Sequence, residues 1–246
     1  MFASIGAMLL PTVLLAASPL RGTVVQGDDF STNATLIEKW NKKNNVEIKD
    51  GKLYLNQGSL APRHELPEEY YMAFDVVALN DAKNFPNGGG FFIIGADDGV
   101  LALIRPSGGH QLLMPNPDNP QKRVGGGKTL KPVPGQPLRV EFSRQKGSEG
   151  LYRYTLIIND QIIHQLSSKA KAKPTVSFGQ WRAEAVLDNM EFCTIKQGQT
   201  SPNLVINSSL EHLQENFNPQ YFTLGLSRNY KNNPSFEDFA PCLNPD

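Results

Sequence analysis

The sequence has few cysteines, no excess of charge of either sign and no apolar run of comfortable membrane-spanning length. Its 246 residues contain two cysteines, and 24 Lys and Arg balance 24 Asp and Glu. A balanced chain has no strong field of one sign to attract nucleic acid or an anionic lipid surface, so neither is expected as a partner. Glycine (21) and proline (18) are frequent instead, which suits many turns between short strands.

The N-terminal residues are predicted to be an export signal. Ile5 to Ala17 is apolar apart from a glycine, a proline and a threonine, and this run has the length of a signal-peptide core. Ala16, Ala17 and Ser18 provide small residues for cleavage. We therefore expect residues 1–18 to be removed and the mature protein to be secreted or periplasmic, with no membrane span. A retained N-terminal anchor is the alternative.

Cys193 and Cys242 are able to form one disulfide in an exported protein. Such a bond would tie the C-terminal residues to the last core strand. Two unpaired buried thiols are the alternative.

The stretch Val46–Leu55, VEIKDGKLYL, predicts a β-hairpin. Asp50-Gly51 suits a two-residue type I′ turn, because both central residues of that turn need a positive φ. The turn sets Val46 opposite Leu55 and Ile48 opposite Leu53, which gives one apolar and one polar face. A slip of one residue would destroy that pattern, so the register is well specified.

Further short strands follow, with turn residues every 8–12 positions, which is typical of an all-β sandwich or barrel. The segments YYMAFDVVAL (Tyr70–Leu79) and LRVEFSRQ predict strands, and YTLIINDQII predicts a second hairpin that turns at Asn159-Asp160. Pro115–Pro137, dense in proline, glycine and lysine, predicts a long loop. The expected core anchors ahead of the first hairpin are Phe30, Leu36, Ile37 and Trp40.

The domain prediction places a β-sandwich at residues 28–196. Residues 197–246 are expected to be a linker and a mostly irregular C-terminal tail docked on the sandwich. This tail is predicted to contain one short helix, with Ser209 as its N-cap and Leu210, Leu213 and Phe217 on one side.

The order of these segments resembles the concanavalin A-like lectin/glucanase family. The resemblance is carried by DDF…W, VEIKDGKLYL, YYMAFDVVAL, GGGFFIIGADDG, LRVEFSR, YTLIINDQII and VLDNMEF, between about Asp28 and Ile195. It looks most like the laminin-G-type and secreted 3-keto-disaccharide-hydrolase-like branches. The resemblance implies an all-β jelly roll of two curved antiparallel sheets, with glycan contact on the concave sheet.

The acidic residues do not form the pattern expected of a glycoside hydrolase. That chemistry usually needs two carboxyl groups about 5–9.5 Å apart. The nearest candidates are Glu184, Asp188 and Glu191. On a strand, Glu184 and Asp188 would lie about 13 Å apart, and Glu191 would have the opposite parity unless a bulge intervenes. These acids are weak catalytic candidates, and a structural role is the alternative.

No cofactor is firmly predicted. Asp97 and Asp98 could join a calcium site, which needs six or more oxygen ligands, but a plain turn is the favoured interpretation. Gly125–Thr129 lacks the first glycine and the helix of a phosphate-binding loop. The four histidines lack spacing suited to zinc.

Two segments carry residue types suited to sugar binding, namely aromatic rings with arginine and amide side chains. Phe178, Gln180, Trp181, Arg182 and Glu184 lie in FGQWRAE. Arg105, His110 and Gln111 lie in LIRPSGGHQLL. The predicted ligand-binding residues are Arg105, His110, Gln111, Gln180, Trp181 and Arg182. A core position for Trp181 and a solvated position for Arg182 are the alternatives.

The sequence thus favours an exported, lectin-like carbohydrate-recognition domain. A glycoside-cleaving enzyme of the 3-keto-disaccharide-hydrolase type is the first alternative. A structural or adhesion domain that binds protein through loops such as Pro115–Pro137 is the second.

Overall fold

The chain folds into two antiparallel β-sheets, as a computed structural model that describes residues 20–83, 89–97, 99–147 and 150–196 shows. The eight-stranded sheet contains, in spatial order, β13 (Gln161–Lys169), β12 (Leu151–Ile158), β11 (Leu138–Lys146), β6 (Tyr70–Asp81), β15 (Ala183–Ile195), β4 (Lys52–Asn56) and β3 (Val46–Lys49), with β1 (Arg21–Asp28) also paired to β15. The seven-stranded sheet contains β10 (Asn119–Thr129), β9 (Gly109–Asn116), β8 (Val100–Ile104), β7 (Phe91–Ala96), β14 (Val176–Trp181), β5 (Ser59–Pro62) and β2 (Trp40–Lys43). Among the described residues one helix, α1 (Asn33–Lys39), joins β1 to β2.

The two sheets form a sandwich because alternate residues of each strand point into a shared apolar core. In the eight-stranded sheet Met72, Phe74 and Phe142 point inward, and in the other sheet Phe92 and Phe178 meet them. The Phe74 ring lies edge-on to Phe92 and to Phe178, with centroids 5.7 Å apart in both pairs. The predicted all-β sandwich is confirmed. Within the described residues, no helix is both long and apolar enough to span a membrane.

Both predicted hairpins are confirmed. Val46 pairs with Leu55 and Ile48 with Leu53, and Asp50 and Gly51 have φ of 51° and 68°. Asn159 and Asp160 turn the second hairpin with φ of 47° and 61°. These turns have the left-handed backbone that matches the twist of the flanking strands.

The predicted loop Pro115–Pro137 is wrong over about half of its length, because β10 occupies Asn119–Thr129. The glycines that suggested a loop allow close packing instead. A Cβ on Gly126 would lie 2.6 Å from the His164 ring, and one on Gly127 would lie 2.2 Å from the His110 carbonyl oxygen. Glycine is therefore required where β10 meets its neighbours.

The region before the first hairpin also differs from the prediction. α1 was not predicted, and its Ile37 is 64% exposed while Leu36 is buried. Adjacent residues of a helix point about 100° apart, and in this short helix Leu36 faces the core while Ile37 points away from it. Strand β1 lies ahead of residue 28, where the sandwich was expected to begin.

A buried ion pair joins the two sheets at one end of the sandwich. Arg144 on β11 points inward, and its Nε lies 2.7 Å from the Asp97 carboxylate in the turn after β7. Asp97 also accepts hydrogen bonds from the Tyr154 hydroxyl and, at 2.9 Å, the Thr175 N–H. The remaining guanidinium nitrogens of Arg144 donate to the carbonyl oxygens of Glu68 and Lys171.

We predict that Asp97→Asn destabilises the domain severely, by about 3–5 kcal/mol, because it leaves the Arg144 charge buried without a counter-charge. Chemical denaturation of the purified variant measures this loss. The double variant Asp97→Asn/Arg144→Met removes both charges and keeps at position 97 a residue that tolerates its φ of 40°. It should recover a large part of the lost stability.

The matched control is the exposed pair Lys173–Glu65, whose side chains are 72% and 77% exposed. Lys173→Ala should change the free energy of unfolding by less than about 1 kcal/mol, because solvent screens such pairs. Equal losses for Asp97→Asn and Lys173→Ala would contradict a stabilising role for the buried pair.

Candidate functional site

The outward face of the seven-stranded sheet carries a group of aromatic and arginine side chains at one end. We call Phe91, Arg105, Gln111, Trp181 and Arg182 the aromatic–arginine cluster. The Phe91 and Trp181 rings stack with their centroids 5.2 Å apart and their planes at 28°. The Arg105 guanidinium carbon lies 5.0 Å from the Phe91 centroid, and that of Arg182 lies 4.2 Å from the Trp181 centroid. All five side chains are partly exposed.

Strand pairing explains why these residues meet. Phe91 starts β7 and Trp181 ends β14, and the two are direct partners in that antiparallel pair. Since Phe92 and Phe178 point into the core, the alternation turns Phe91 and Trp181 outward. Arg182 is the single residue between β14 and β15, which belong to different sheets. It has a φ of 51°. Its carbonyl oxygen accepts a hydrogen bond from the Ala82 N–H at 2.9 Å.

Arg105 is a partly desolvated cation. Its Nη2 donates to the Gln111 Oε1 at 3.2 Å. Burial lowers the pKa of the Arg105 guanidinium, although an arginine stays charged at any ordinary pH. No carboxylate in the described ranges lies within ion-pair distance of it. The guanidinium is thus available to hydrogen-bond acceptors on a ligand.

Apolar side chains continue from the cluster along the same outward face. Ile93, Leu101, Leu103 and Leu113 form a second packed group with Phe91 and Trp181, and each of the four is only 4–7% exposed. A ligand could therefore contact this face at its partly exposed aromatic end, beside the four buried apolar side chains.

The structure brings four of the six predicted ligand residues together: Arg105, Gln111, Trp181 and Arg182. Phe91 joins them although the sequence did not single it out. The adjacent Phe91 and Phe92 are equivalent by composition, and only the pairing with β14 decides which ring faces outward.

His110 and Gln180 point elsewhere. The buried His110 ring accepts the Arg105 N–H at Nδ1, at 3.3 Å, and its Nε2 lies 3.1 Å from the Leu130 carbonyl oxygen. The Gln180 amide faces the turn between β4 and β5. Its nitrogen fits a bond of 3.0 Å to the Gly58 carbonyl oxygen, and its oxygen fits one of 2.8 Å from the Gly58 N–H. Both side chains hydrogen-bond to backbone groups and do not face the aromatic–arginine cluster.

The weak catalytic candidates lie on the other sheet. A bulge between Asp188 and Glu191, where Asn189 has a φ of 50°, changes the parity of β15. Glu184, Asp188 and Glu191 therefore all face outward from the eight-stranded sheet, on the opposite side of the sandwich from the aromatic–arginine cluster. The parity objection to Glu191 is removed, but the separation along the strand remains.

Glu191 is engaged in an ion-pair network. Its two carboxylate oxygens accept from Arg21 Nε and Nη2 at 2.9 and 2.8 Å. Arg139 Nη2 lies 3.4 Å from Glu191 Oε1, and Arg139 Nη1 lies 3.2 Å from Asp75. A carboxylate whose two oxygens both accept from arginine guanidiniums is already engaged, and it is poorly placed to contact a ligand.

The predicted metal-ligating residues and cysteines do not lie in the aromatic–arginine cluster. Asp97 contacts Arg144, as described above, and Asp98 lies outside the described residues. Within the described residues, no three His, Cys, Asp or Glu side chains are placed to hold a metal ion. Cys193 is buried on β15, while Cys242 and the predicted helix at Ser209 lie outside the described residues, so their disulfide and helix stay predictions.

Several solved structures have a similar fold. The carbohydrate recognition domain of Emp46p, in its potassium-bound form, covers 68% of this chain and 94% of its own, at 9% identity and a TM-score of 0.50. The carbohydrate recognition domain of Emp47p covers 73% and 99%, at 12% identity and a TM-score of 0.50. A legume lectin-like domain from Entamoeba histolytica covers 69% and 96%, at 6% identity and a TM-score of 0.50.

At these identities the likeness shows the fold. The domain has the concanavalin A-type jelly-roll sandwich fold of these structures, as the sequence resemblance implied. The sequence matches no protein-family model and no curated protein.

We predict that stability falls as the pH drops below 6.5, in part through His110. Burial lowers the pKa of His110 below its ordinary value of 6.5, and the neighbouring Arg105 charge adds to this effect. Below pH 6.5 the unfolded chain therefore binds a proton that the folded chain resists, at up to about 1.4 kcal/mol per pH unit for one group. Protonation would also place a hydrogen on Nδ1, facing the Arg105 N–H.

Denaturation curves between pH 5 and 7.5, which bracket this range, measure the slope. His110→Gln preserves a donor to the Leu130 carbonyl oxygen and should lower the stability at pH 7 but flatten its decline with pH. Burial also lowers the pKa of His164, so some slope should remain. An unchanged slope in His110→Gln would show that His110 does not contribute.

Proposed function

We propose that this domain is an exported lectin-like module that binds a glycan at the aromatic–arginine cluster. The observation that carries the proposal is the stacked, partly exposed Phe91–Trp181 pair with a guanidinium beside each ring. An aromatic ring contacts the apolar face of a sugar, while guanidinium and amide groups hydrogen-bond its hydroxyls. The cluster supplies both kinds of contact within one short stretch of the sheet.

The comparisons support this class of ligand. Two of the similar structures are named as carbohydrate recognition domains and the third as a legume lectin-like domain. Export of the mature chain, predicted from the apolar N-terminal residues, belongs to the same proposal, since lectin-like domains with extracellular ligands must leave the cytoplasm. The outward face of the seven-stranded sheet is the proposed equivalent of the glycan-contacting sheet.

The stacking order suggests how a sugar reaches the rings. Phe91 covers one side of Trp181, and Arg182 lies over its ring at 4.2 Å. A sugar that stacks on Trp181 must take the place of Arg182. The displaced guanidinium then lies beside the sugar hydroxyls, where its donors remain useful.

We predict that Trp181→Ala and Arg105→Ala each weaken glycan binding at least about tenfold, which is about 1.4 kcal/mol. Trp181→Ala removes the ring contact, and Arg105→Ala removes charged donors with few other partners. A glycan array followed by calorimetry on the best ligand measures the change. The control Val133→Ala alters an exposed residue, 52% accessible, and should bind as the parent does.

Arg182→Gly separates binding from folding. Residue 182 has a positive φ, which glycine adopts without strain. This variant should fold about as stably as the parent, because the relieved strain offsets the greater freedom of the unfolded chain. It should nevertheless lose part of the glycan affinity. Full affinity in folded Trp181→Ala and Arg105→Ala would place the glycan site elsewhere.

The same panel should include 3-keto-glycosides. Binding without turnover supports the lectin-like module. Turnover would instead favour the glycoside-cleaving alternative and return attention to Glu184 and Asp188. A folded protein that neither binds nor cleaves any member of the panel would refute glycan recognition in favour of protein adhesion.

A further inference from the structure

Acidic residues are absent from every strand of the seven-stranded sheet, whose outward face carries the aromatic–arginine cluster. Its strands β2, β5, β7, β8, β9, β10 and β14 contain no Asp or Glu. The basic residues of the same strands are Lys42, Lys43, Lys122, Arg123 and Lys128. Although the whole chain has no net charge, the charged residues of these strands are therefore all basic.

The acidic residues of the strands all belong to the eight-stranded sheet. They are Asp28, Glu47, Asp75, Asp81, Glu141, Glu184, Asp188 and Glu191. Two further acids, Asp97 and Asp118, lie in the turns that follow β7 and β9. Both turns are at the end of the seven-stranded sheet opposite to Phe91. The acidic charge of these elements thus lies away from the aromatic–arginine cluster.

The connections next to the cluster add positive charge. Residues 105–108 join β8 to β9, and residues 130–137 join β10 to β11. Neither connection contains Asp or Glu, and together they contribute Arg105 and Lys131. The acidic residue that the strand pairing sets beside the cluster is Asp81, at the end of β6, and its carboxylate accepts a backbone N–H at 3.0 Å. A single carboxylate leaves the two guanidiniums of the cluster with an excess of positive charge.

The polar side-chain groups of the cluster are almost all hydrogen-bond donors. Guanidinium groups and the indole Nε1 of Trp181 donate and do not accept. The one side-chain acceptor of the cluster is Gln111 Oε1, and it already accepts from Arg105 Nη2 at 3.2 Å. A sugar hydroxyl both donates and accepts, whereas the oxygens of a carboxylate or sulfate only accept. The cluster is therefore better matched to an anionic group than to a hydroxyl.

The Arg105 guanidinium is held in place and keeps most of its donors for a ligand. The Phe91 ring centroid lies 5.0 Å from its central carbon, and Gln111 takes one of its N–H donors. The other side-chain donors of Arg105 have no hydrogen-bond partner among the described residues. The planar guanidinium offers parallel N–H groups that fit two oxygens of one anion. A side chain that is already positioned loses less conformational entropy on binding.

We propose that the glycan bound at the aromatic–arginine cluster is anionic, and that Arg105 holds its carboxylate or sulfate group. This inference rests on the proposed glycan site and adds the class of sugar. Trp181 contacts the sugar ring, and Arg105 pairs with the acidic substituent. Arg182, whose guanidinium carbon lies 4.2 Å from the Trp181 centroid, places a second positive charge in the same site. Charge complementarity of this kind discriminates between ligands of similar shape.

The test compares matched pairs of glycans that share a backbone and differ in charge. The first pair is a hexuronic acid oligosaccharide and the neutral oligosaccharide obtained by reducing its carboxyl groups to alcohols. The second pair is a sulfated galactan oligosaccharide and its desulfated form. Calorimetry on the full chain should show that the anionic member of at least one pair binds at least about tenfold more tightly than the neutral member. The pair that shows this difference identifies the anionic group.

Arg105→Gln removes the positive charge and keeps an amide donor. The preference for the anionic member should fall at least about fivefold, while the affinity for the neutral member changes by less than about threefold. Arg105→Lys retains the charge without the planar fork and should keep part of the preference. The matched control is Arg153→Gln, since Arg153 faces outward from the eight-stranded sheet between the inward-facing Tyr152 and Tyr154. This control loses the same charge and should leave the preference unchanged.

Two results would overturn this inference and leave the glycan site standing. The first is that the neutral member of each pair binds the parent as tightly as the anionic member, which would show that the site does not select for charge. The second is a preference that survives unchanged in folded Arg105→Gln, which would place the anion elsewhere. A folded parent that binds neither member of either pair would overturn the inference together with the glycan site, so the two failures are distinguishable.

Discussion

The burial of two apolar sheet faces against each other is the constraint on which the rest of this structure depends. Because side chains alternate along a strand, burying one set fixes the outward direction of the other. Phe92 and Phe178 in the core turn Phe91 and Trp181 outward, and Phe142 turns Ser143 outward. The two outward faces of the sandwich thus have different chemistry, one aromatic and cationic at its end and one polar.

Two local departures from regular strand geometry adjust what these faces display. The bulge at Asn189 moves Glu191 to the outward side of β15, where Arg21 and Arg139 hold it. Arg182, with its positive φ, carries the chain from one sheet to the other in a single residue. That short crossing places its guanidinium beside Trp181 and links the geometry of the proposed glycan site to the sandwich itself.

Local sequence information predicted the parts of the fold that depend on neighbouring residues. The hairpin at Asp50-Gly51 and its register follow from a turn that needs a positive φ and from strict alternation. The glycines of β10 misled the same reasoning, because close approach of His164 and of the His110 backbone requires them. Contacts between residues distant in sequence decide such positions, and no local pattern reveals them.

The sequence by itself determined the all-β sandwich, its two predicted hairpin turns and four residues of the candidate site, because alternation and turn chemistry act over a few residues. Only the tertiary structure decided that Phe91 joins these residues and that Asp97 pairs with Arg144. It also decided that His110 and Gln180 hydrogen-bond to backbone groups. Each of these outcomes depends on which strands are neighbours and which direction a side chain takes between two sheets. Those are properties of the assembled sandwich rather than of any one strand.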